Sequence, residues 1–211
     1  MLDYPGFDYG NEAAGSRVVI VSGLPRSGTS MMMRMLAFGG IEPLTDDARA
    51  RDSRNPHGYY EWERIKDRLK YVQWMNLASG KALKVVSRFV THLPATHCYD
   101  ILFIHRDLDE VLRSQADLAH HFSESRWDDQ TSHDLKSLYR RHVEDTLEWV
   151  VKRPNMRLHE LRYDAVLSEP AREVRGICDF LSNRALQEDR MIAAIDPALD
   201  HSASGGRKRH A

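Results

Sequence analysis

The segment at 17–36 constrains the fold of this chain more strongly than any other part of the sequence. A β-branched, apolar run at 17–22 leads into a turn with Gly23 and Gly28 five positions apart, and an apolar helical segment follows. A strand, a glycine-containing turn and a helix in this order form a P-loop, in which unpaired backbone N–H groups at the helix start bind anionic oxygens. The segment therefore predicts an anion site at the carboxyl end of a strand.

The predicted loop lacks the lysine of nucleotide-hydrolysing P-loops. In those loops the lysine reaches the β- and γ-phosphates, and the hydroxyl that follows it ligates magnesium. Here Thr29 occupies the lysine position, and the cation is Arg26, whose planar guanidinium suits sulfate or phosphate oxygens. The alternative is a plain strand-to-helix turn with an incidental arginine. The candidate anion-binding residues of the loop are Arg26, Ser27, Gly28, Thr29 and Ser30.

Composition and charge exclude several classes of protein. A chain of 211 residues with 42% hydrophobic and 29% charged residues is typical of one soluble domain with a full core. The net charge of −1 lacks the basic excess of nucleic-acid-binding proteins. No apolar run reaches the ~20 residues that cross a membrane, and no signal peptide is evident. Cys98 and Cys178 lie far apart without metal or redox spacing and are typical of buried apolar residues in a reducing compartment. We therefore expect a cytoplasmic protein, and the charge and hydropathy predict neither a nucleic-acid partner nor insertion into a membrane.

Apolar and polar segments alternate along the chain in the manner of a parallel α/β domain. Four segments predict buried strands, at 17–22, 82–86, 99–105 and 156–163. Helical patterns separate them, which predicts a P-loop-type, three-layer, doubly wound domain over 17–200 with a mainly parallel sheet. Flexible segments are expected at 1–16 and 201–211. The charged stretch at 45–55 predicts a mobile loop, and a helix is expected from there to about Ala78.

A second candidate anion site follows the strand at 99–105. Arg106 leaves this strand where a P-loop hydrolase has a magnesium-binding aspartate, and Ser114 lies eight residues further on, in the next predicted helix. Ligands of open α/β sheets bind beyond the carboxyl ends of the strands, so Arg26 and Arg106 would both face that edge. Two cationic anchors favour a ligand with two separated anionic groups. The alternatives are a surface ion pair of Arg106 with Asp107 or Asp109, and a solvent-facing Ser114.

With these residues the chain resembles the sulfotransferase family, which uses 3′-phosphoadenosine 5′-phosphosulfate as donor. The segment 25–30 resembles the arginine form of its 5′-phosphosulfate loop, and 105–114 resembles its 3′-phosphate motif. The segment 162–170 is similar to a third segment, whose adenine-contacting tyrosine corresponds to Tyr163. The resemblance covers about 17–200 and is strongest to small bacterial members, which share the pattern at 55–61.

The resemblance implies a function for both anion sites. Arg26 and residues 27–30 would hold the 5′-phosphosulfate, while Arg106 and Ser114 would hold the 3′-phosphate. The implied reaction is metal-independent transfer of a sulfuryl group to a hydroxyl or amine of a small-molecule acceptor. The sequence leaves open whether the protein is a monomer or a homo-oligomer. Two alternatives stay open, namely a non-catalytic nucleotide-binding or regulatory protein and a P-loop phosphotransferase.

The catalytic base is harder to assign. The acceptor loses a proton as its bond to sulfur forms, so a histidine or carboxylate is expected nearby. Glu61, at the start of a predicted helix, is one candidate, and Asp46 or Asp47 in the charged loop is another. His92 resembles the base of cytosolic sulfotransferases but lies closer to Arg106 than that histidine does to its arginine.

Other residues are candidates for a role beside the base. Lys84 either stabilises the transferring sulfonate or extends from the end of its strand to solvent. The aromatic residues Tyr59, Tyr60 and Trp62 are candidates for the acceptor pocket, although aromatic side chains at a helix start more often belong to a core.

Overall fold

The structure is a computed structural model, and it describes residues 17–46, 56–66, 75–122, 129–182 and 184–196. The expectations for 1–16, for most of the charged loop and for 201–211 lie outside the described residues. Of the helix expected up to Ala78, the described parts are two short 3-10 turns, Glu63–Lys66 and Asn76–Ala78.

Four parallel strands form the sheet, and they match the predicted ones. Their bounds are β1 Val18–Gly23, β2 Ala82–Val86, β3 Tyr99–His105 and β4 Met156–Arg162. The order is β2-β1-β3-β4, with every pair parallel. All six residues of β1 and the first six of β3 are buried, which explains why these central strands are continuous apolar runs in the sequence.

Helices connect the strands and cover both faces of the sheet. Their bounds are α1 Thr29–Gly39, α2 Ser87–Val90, α3 Leu108–Phe122, α4 Asp129–Val151, α5 Tyr163–Ser168, α6 Pro170–Phe180 and α7 Glu188–Ala193. One apolar core joins α1, α6 and α7 to the first face. A second core joins the 3-10 turns, α2 and α4 to the other. The fold is the predicted three-layer α/β arrangement.

The methionines of α1 belong to the first core. Met32, Met33 and Met35 are fully buried there, and Met191 of α7 packs against them. Flexible thioether side chains fill irregular space in such cores, so these residues anchor the helix that begins at the predicted loop.

At the amino end of the sheet, several arginines surround one buried carboxylate. Asp100 at the start of β3 is 0% exposed, and its Oδ1 accepts hydrogen bonds from Arg17 Nε and Arg157 Nε, both at 2.7 Å. Arg184 donates to the backbone oxygens of Gly80 and Arg17. Because these groups join β1, β3, β4 and the segment after α6, this cluster ties the base of the sheet together.

Candidate active site

A cavity of about 240 Å³ lies at the carboxyl edge of the sheet. The predicted loop, β2, the exit of β3, α3, α5 and the segment after α7 all contribute to its walls. Most of the residues predicted to act in the site line it, namely Arg26, Gly28, Thr29, Ser30, Glu61, Arg106 and Tyr163. This is the location expected for the ligand site of an open α/β sheet.

The loop is held in an unusual backbone conformation. Arg26 has φ 75°, in the left-handed region that costs a non-glycine residue about 1 kcal/mol. Gly28 has φ 105°, and a Cβ at this position would lie 2.5 Å from the ring of Tyr163. Only glycine fits between the loop and α5. Among the described residues no side chain caps α1 at Gly28, which leaves the N–H groups of its first turn for an anion.

The structure brings the two predicted anion motifs into one site. Arg26 Nε donates to Ser114 Oγ at 2.9 Å across 88 positions of sequence. Arg106 Nη1 donates to the backbone oxygen of Arg26 at 3.3 Å. The guanidinium of Arg106 therefore lies against the loop backbone and that of Arg26 against Ser114, and both line one cavity, where their positive charges favour a multiply charged anion.

Arg106 is held by a carboxylate and by an aromatic ring. Its side chain is 9% exposed, its Nε donates to Glu110 Oε2 at 2.9 Å, and its Cζ lies 4.3 Å from the ring centroid of Tyr163. The two carboxylates weighed as its ion-pair partners are engaged elsewhere: Asp107 accepts from backbone N–H groups at the start of α3, and Asp109 pairs with a lysine of α4.

A lysine and a carboxylate meet on the cavity wall beside the loop. Lys84 is 9% exposed, and its Nζ donates to Ser30 Oγ at 3.0 Å and to the backbone oxygen of Tyr59 at 2.9 Å. Glu61 Oε1 lies 3.8 Å from the same Nζ. Tyr60, which lies between Tyr59 and Glu61 in the sequence, has a left-handed backbone with φ 51°. The neighbouring strand thus places an ammonium group beside the first turn of α1, whose loop has no lysine of its own.

One further pair in the cavity was missed by sequence reasoning. His57 Nε2 lies 3.1 Å from Asp196 Oδ2, and both side chains line the cavity while remaining about one third exposed. The pair spans 139 positions, so no local periodicity could reveal it. The turn pattern at 55–58 was the only available signal for His57.

Two of the predicted site residues do not line the cavity through their side chains. Ser27 is 1% exposed, and its Oγ is buried without a hydrogen-bond partner among the described residues. Its backbone N–H bonds to the oxygen of Leu24. Ser114 reaches the site through its bond to Arg26 and does not belong to the cavity wall. Of the three predicted hydroxyls in the loop, those of Thr29 and Ser30 therefore remain at the cavity.

Other candidates for the base lie away from it. His92 is exposed, follows α2 and meets the ring of Phe89 edge-on at 6.5 Å. Asp46 Oδ2 accepts the backbone N–H of Glu63 at 2.7 Å, and neither it nor His92 lines the cavity. Asp47 lies outside the described residues. Glu61 is thus the only one of these candidates that the described structure places on the cavity wall.

The aromatic residues predicted for an acceptor pocket separate in the structure. Tyr59 lines the cavity, whereas Trp62 is buried in the second core and Tyr60 packs against the first.

In the described parts of the chain no three metal-ligating side chains come together. Nor does any described helix have the length and apolar character needed to cross a membrane.

Solved structures with a similar fold are sulfotransferases. The sulfotransferase STF1 from Mycobacterium tuberculosis superposes with a TM-score of 0.58 and 17% identity, over 90% of this chain and 74% of that one. The sulfotransferase domain of the Synechococcus PCC 7002 olefin synthase superposes with a TM-score of 0.55 and 14% identity, over 93% of this chain and 83% of that one. Mouse sulfotransferase SULT7A1, solved in complex with PAP, superposes with a TM-score of 0.51 and 14% identity, over 84% of this chain and 62% of that one.

Comparison of the sequence with curated proteins found no match. The sulfotransferase domain model, by contrast, matches residues 16–196, which include the loop, the exit of β3, α5 and the segment that carries Asp196. That match covers most of the chain, and the fold and the position of the cavity agree with it. The chain belongs to the sulfotransferase family and is a sulfotransferase enzyme.

Proposed function

We propose that the enzyme transfers a sulfuryl group from 3′-phosphoadenosine 5′-phosphosulfate to a hydroxyl or amine of a small-molecule acceptor. The observation that carries this proposal is that one cavity holds both pairs of charged side chains. Arg26 and Arg106 meet around the loop, while Lys84 and Glu61 meet beside the first turn of α1. The two guanidinium groups suit a donor with two anionic groups, and the carboxylate suits an acceptor that loses a proton.

The donor is held by positive charge and by backbone N–H groups. Arg26 and the first turn of α1 bind the 5′-phosphosulfate. Arg106 binds the 3′-phosphate, whose higher charge displaces the carboxylate of Glu110 from the guanidinium. Tyr163 is 6% exposed and has Arg106 over its ring, so its main part is to hold that guanidinium, and only its edge is left for the adenine.

The chemical step needs no group beyond those at the cavity. The acceptor oxygen or nitrogen attacks the sulfur, a new bond forms, and the bond from sulfur to the bridging oxygen breaks with its electron pair left on the 5′-phosphate. Glu61 takes the proton that the acceptor loses and becomes a neutral acid. The ammonium of Lys84, 3.8 Å from that carboxylate, stabilises the negative charge that develops during transfer.

Nucleotide binding tests the donor assignment. In calorimetric titrations adenosine 3′,5′-bisphosphate (PAP) should bind more tightly than ADP, and magnesium should not reverse this order. Tighter binding of ATP with magnesium would refute the assignment and favour a phosphotransferase. Consumption of the sulfated donor over a panel of hydroxyl and amine acceptors then separates an active enzyme from a nucleotide-binding protein without turnover.

A further inference from the structure

The left-handed conformation of Arg26 requires support from its surroundings. Both peptide oxygens that flank this residue are bound by side chains from outside the loop. Pro25 O accepts a hydrogen bond from Gln115 Nε2 at 2.9 Å, and Arg26 O accepts one from Arg106 Nη1 at 3.3 Å. A strained backbone persists where neighbouring groups determine its conformation in this way.

The amide of Gln115 is itself oriented by a residue farther from the cavity. A peptide oxygen can only accept, so the amino group of Gln115 must face Pro25 and its Oε1 must point away. Tyr139 OH on α4 donates to that Oε1 at 2.8 Å. The bonds run in one direction, from the hydroxyl of Tyr139 through the amide of Gln115 to the oxygen of Pro25. Unlike Gln115, Tyr139 does not line the cavity.

We propose that Tyr139 is a positioning residue for the donor site, which acts through Gln115 to hold the loop around Arg26 in its anion-binding conformation. Without the tyrosine hydroxyl, the bond to Pro25 alone orients the amide of Gln115, and the amide is less strongly held against a turn that would place its oxygen beside that of Pro25, where the two repel. The role in donor binding rests on the proposed function, because it presumes that this loop holds the phosphosulfate.

The chain offers a matched control for this role. Lys136 Nζ pairs with Asp109 Oδ2 at 2.6 Å, so it joins the same two helices, α4 and α3, one helical turn from Tyr139. This pair does not touch the loop. Lys136→Met therefore removes a contact between these helices and leaves the chain of hydrogen bonds to Pro25 intact.

The first measurement uses the protein without nucleotide. Hydrogen exchange of the Ser27 N–H, which bonds to Leu24 O inside the loop, is followed by NMR in the unmodified protein and in Tyr139→Phe, Gln115→Leu and Lys136→Met. We expect exchange to be about fivefold faster in the first two variants and unchanged in the third, since a hydrogen bond of this kind contributes about that factor. Unchanged exchange in Tyr139→Phe would overturn the proposal.

The second measurement is the affinity for PAP, taken with the double variant Tyr139→Phe/Gln115→Leu. If Tyr139 acts through Gln115, Tyr139→Phe weakens binding about fivefold alone and has no further effect in the Gln115→Leu background. Equal effects in both backgrounds would overturn the proposal. An unmodified protein that fails to bind PAP would refute the proposed function instead, while the exchange experiment would still decide whether Tyr139 positions the loop.

Discussion

Arg106 and Arg157 are held by the same kinds of partner at opposite ends of the sheet. Arg106 pairs with Glu110 at 2.9 Å and lies 4.3 Å from the ring centroid of Tyr163. Arg157 pairs with Asp100 at 2.7 Å and lies 5.0 Å from that of Phe180. The carboxylates differ, since Asp100 is fully buried whereas the side chain of its counterpart on α3 is 33% exposed.

The difference in burial separates a structural arginine cluster from the ligand site that we propose. The carboxylate of Asp100 cannot leave its two arginines without becoming an unpaired buried charge. The cluster at the amino end of the sheet is therefore structural. The carboxylate of Glu110 can turn to solvent when an anion arrives. An arginine that is stacked on a ring and paired with a carboxylate is therefore not by itself evidence of a ligand site. The distinguishing property is whether the paired carboxylate is exposed enough to leave the guanidinium.

The largest expected effect is on stability at the amino end. Asp100→Ala leaves the positive charges of Arg17, Arg157 and Arg184 without their carboxylate, and loss of one partner of a buried ion pair costs about 3–5 kcal/mol. Urea denaturation should show this loss in the free energy of unfolding. Affinity for PAP, measured well below the denaturation midpoint, should be unchanged. A variant as stable as the unmodified protein would show that the cluster is not structural.

The next effect separates proton transfer by Glu61 from binding of the donor. Glu61→Gln keeps the shape of the side chain and removes its ability to take a proton, so turnover should fall about 100-fold or more. The affinity for PAP should change little, because we propose that Arg26 and Arg106, and not Glu61, bind the donor. Turnover at the unmodified level would place the base elsewhere, with His57 as the next side chain to replace.

A smaller effect follows from two histidines outside the site. Burial lowers the pKa of His142, which bonds to Ser87 Oγ and lies near Asp145, and it also lowers the pKa of His159. Protons then bind the unfolded chain more readily than the folded one, so stability is full above the ordinary histidine range and declines as the pH falls through it.

Thermal denaturation at pH 7.5 and 5.5 measures this effect. His142→Gln has no proton to gain, so the drop in Tm between the two values should be smaller than in the unmodified protein by roughly 2 °C. A drop in Tm of the same size in the variant would show that His142 does not contribute to the pH dependence of stability.

Much of the fold could be predicted because its signals are local. The buried strands are continuous apolar runs, and the turn between Gly23 and Gly28 marks where β1 ends and α1 begins. The contacts that complete the site are not local. Lys84 meets Glu61, and His57 meets Asp196, only after the sheet and its covering helices have formed.

His92 shows that a local sequence pattern does not by itself fix where a side chain lies in the fold. Its neighbours match a known pattern around a catalytic histidine, but in this chain the short helix α2, Ser87–Val90, follows β2 directly. That helix carries the backbone away from the edge of the sheet before His92 is reached. Lys84, inside β2 itself, has the position from which a side chain reaches the cavity.

The most direct test of the account compares PAP binding by Arg106→Met and Arg157→Met. Each variant removes a guanidinium that is paired with a carboxylate and stacked on a ring, at one end of the sheet only. We predict that Arg106→Met weakens PAP binding by about 10- to 100-fold and the binding of AMP, which lacks the 3′-phosphate, far less, while Arg157→Met changes neither. Equal losses in the two variants, or an unchanged affinity for PAP in Arg106→Met, would contradict the account.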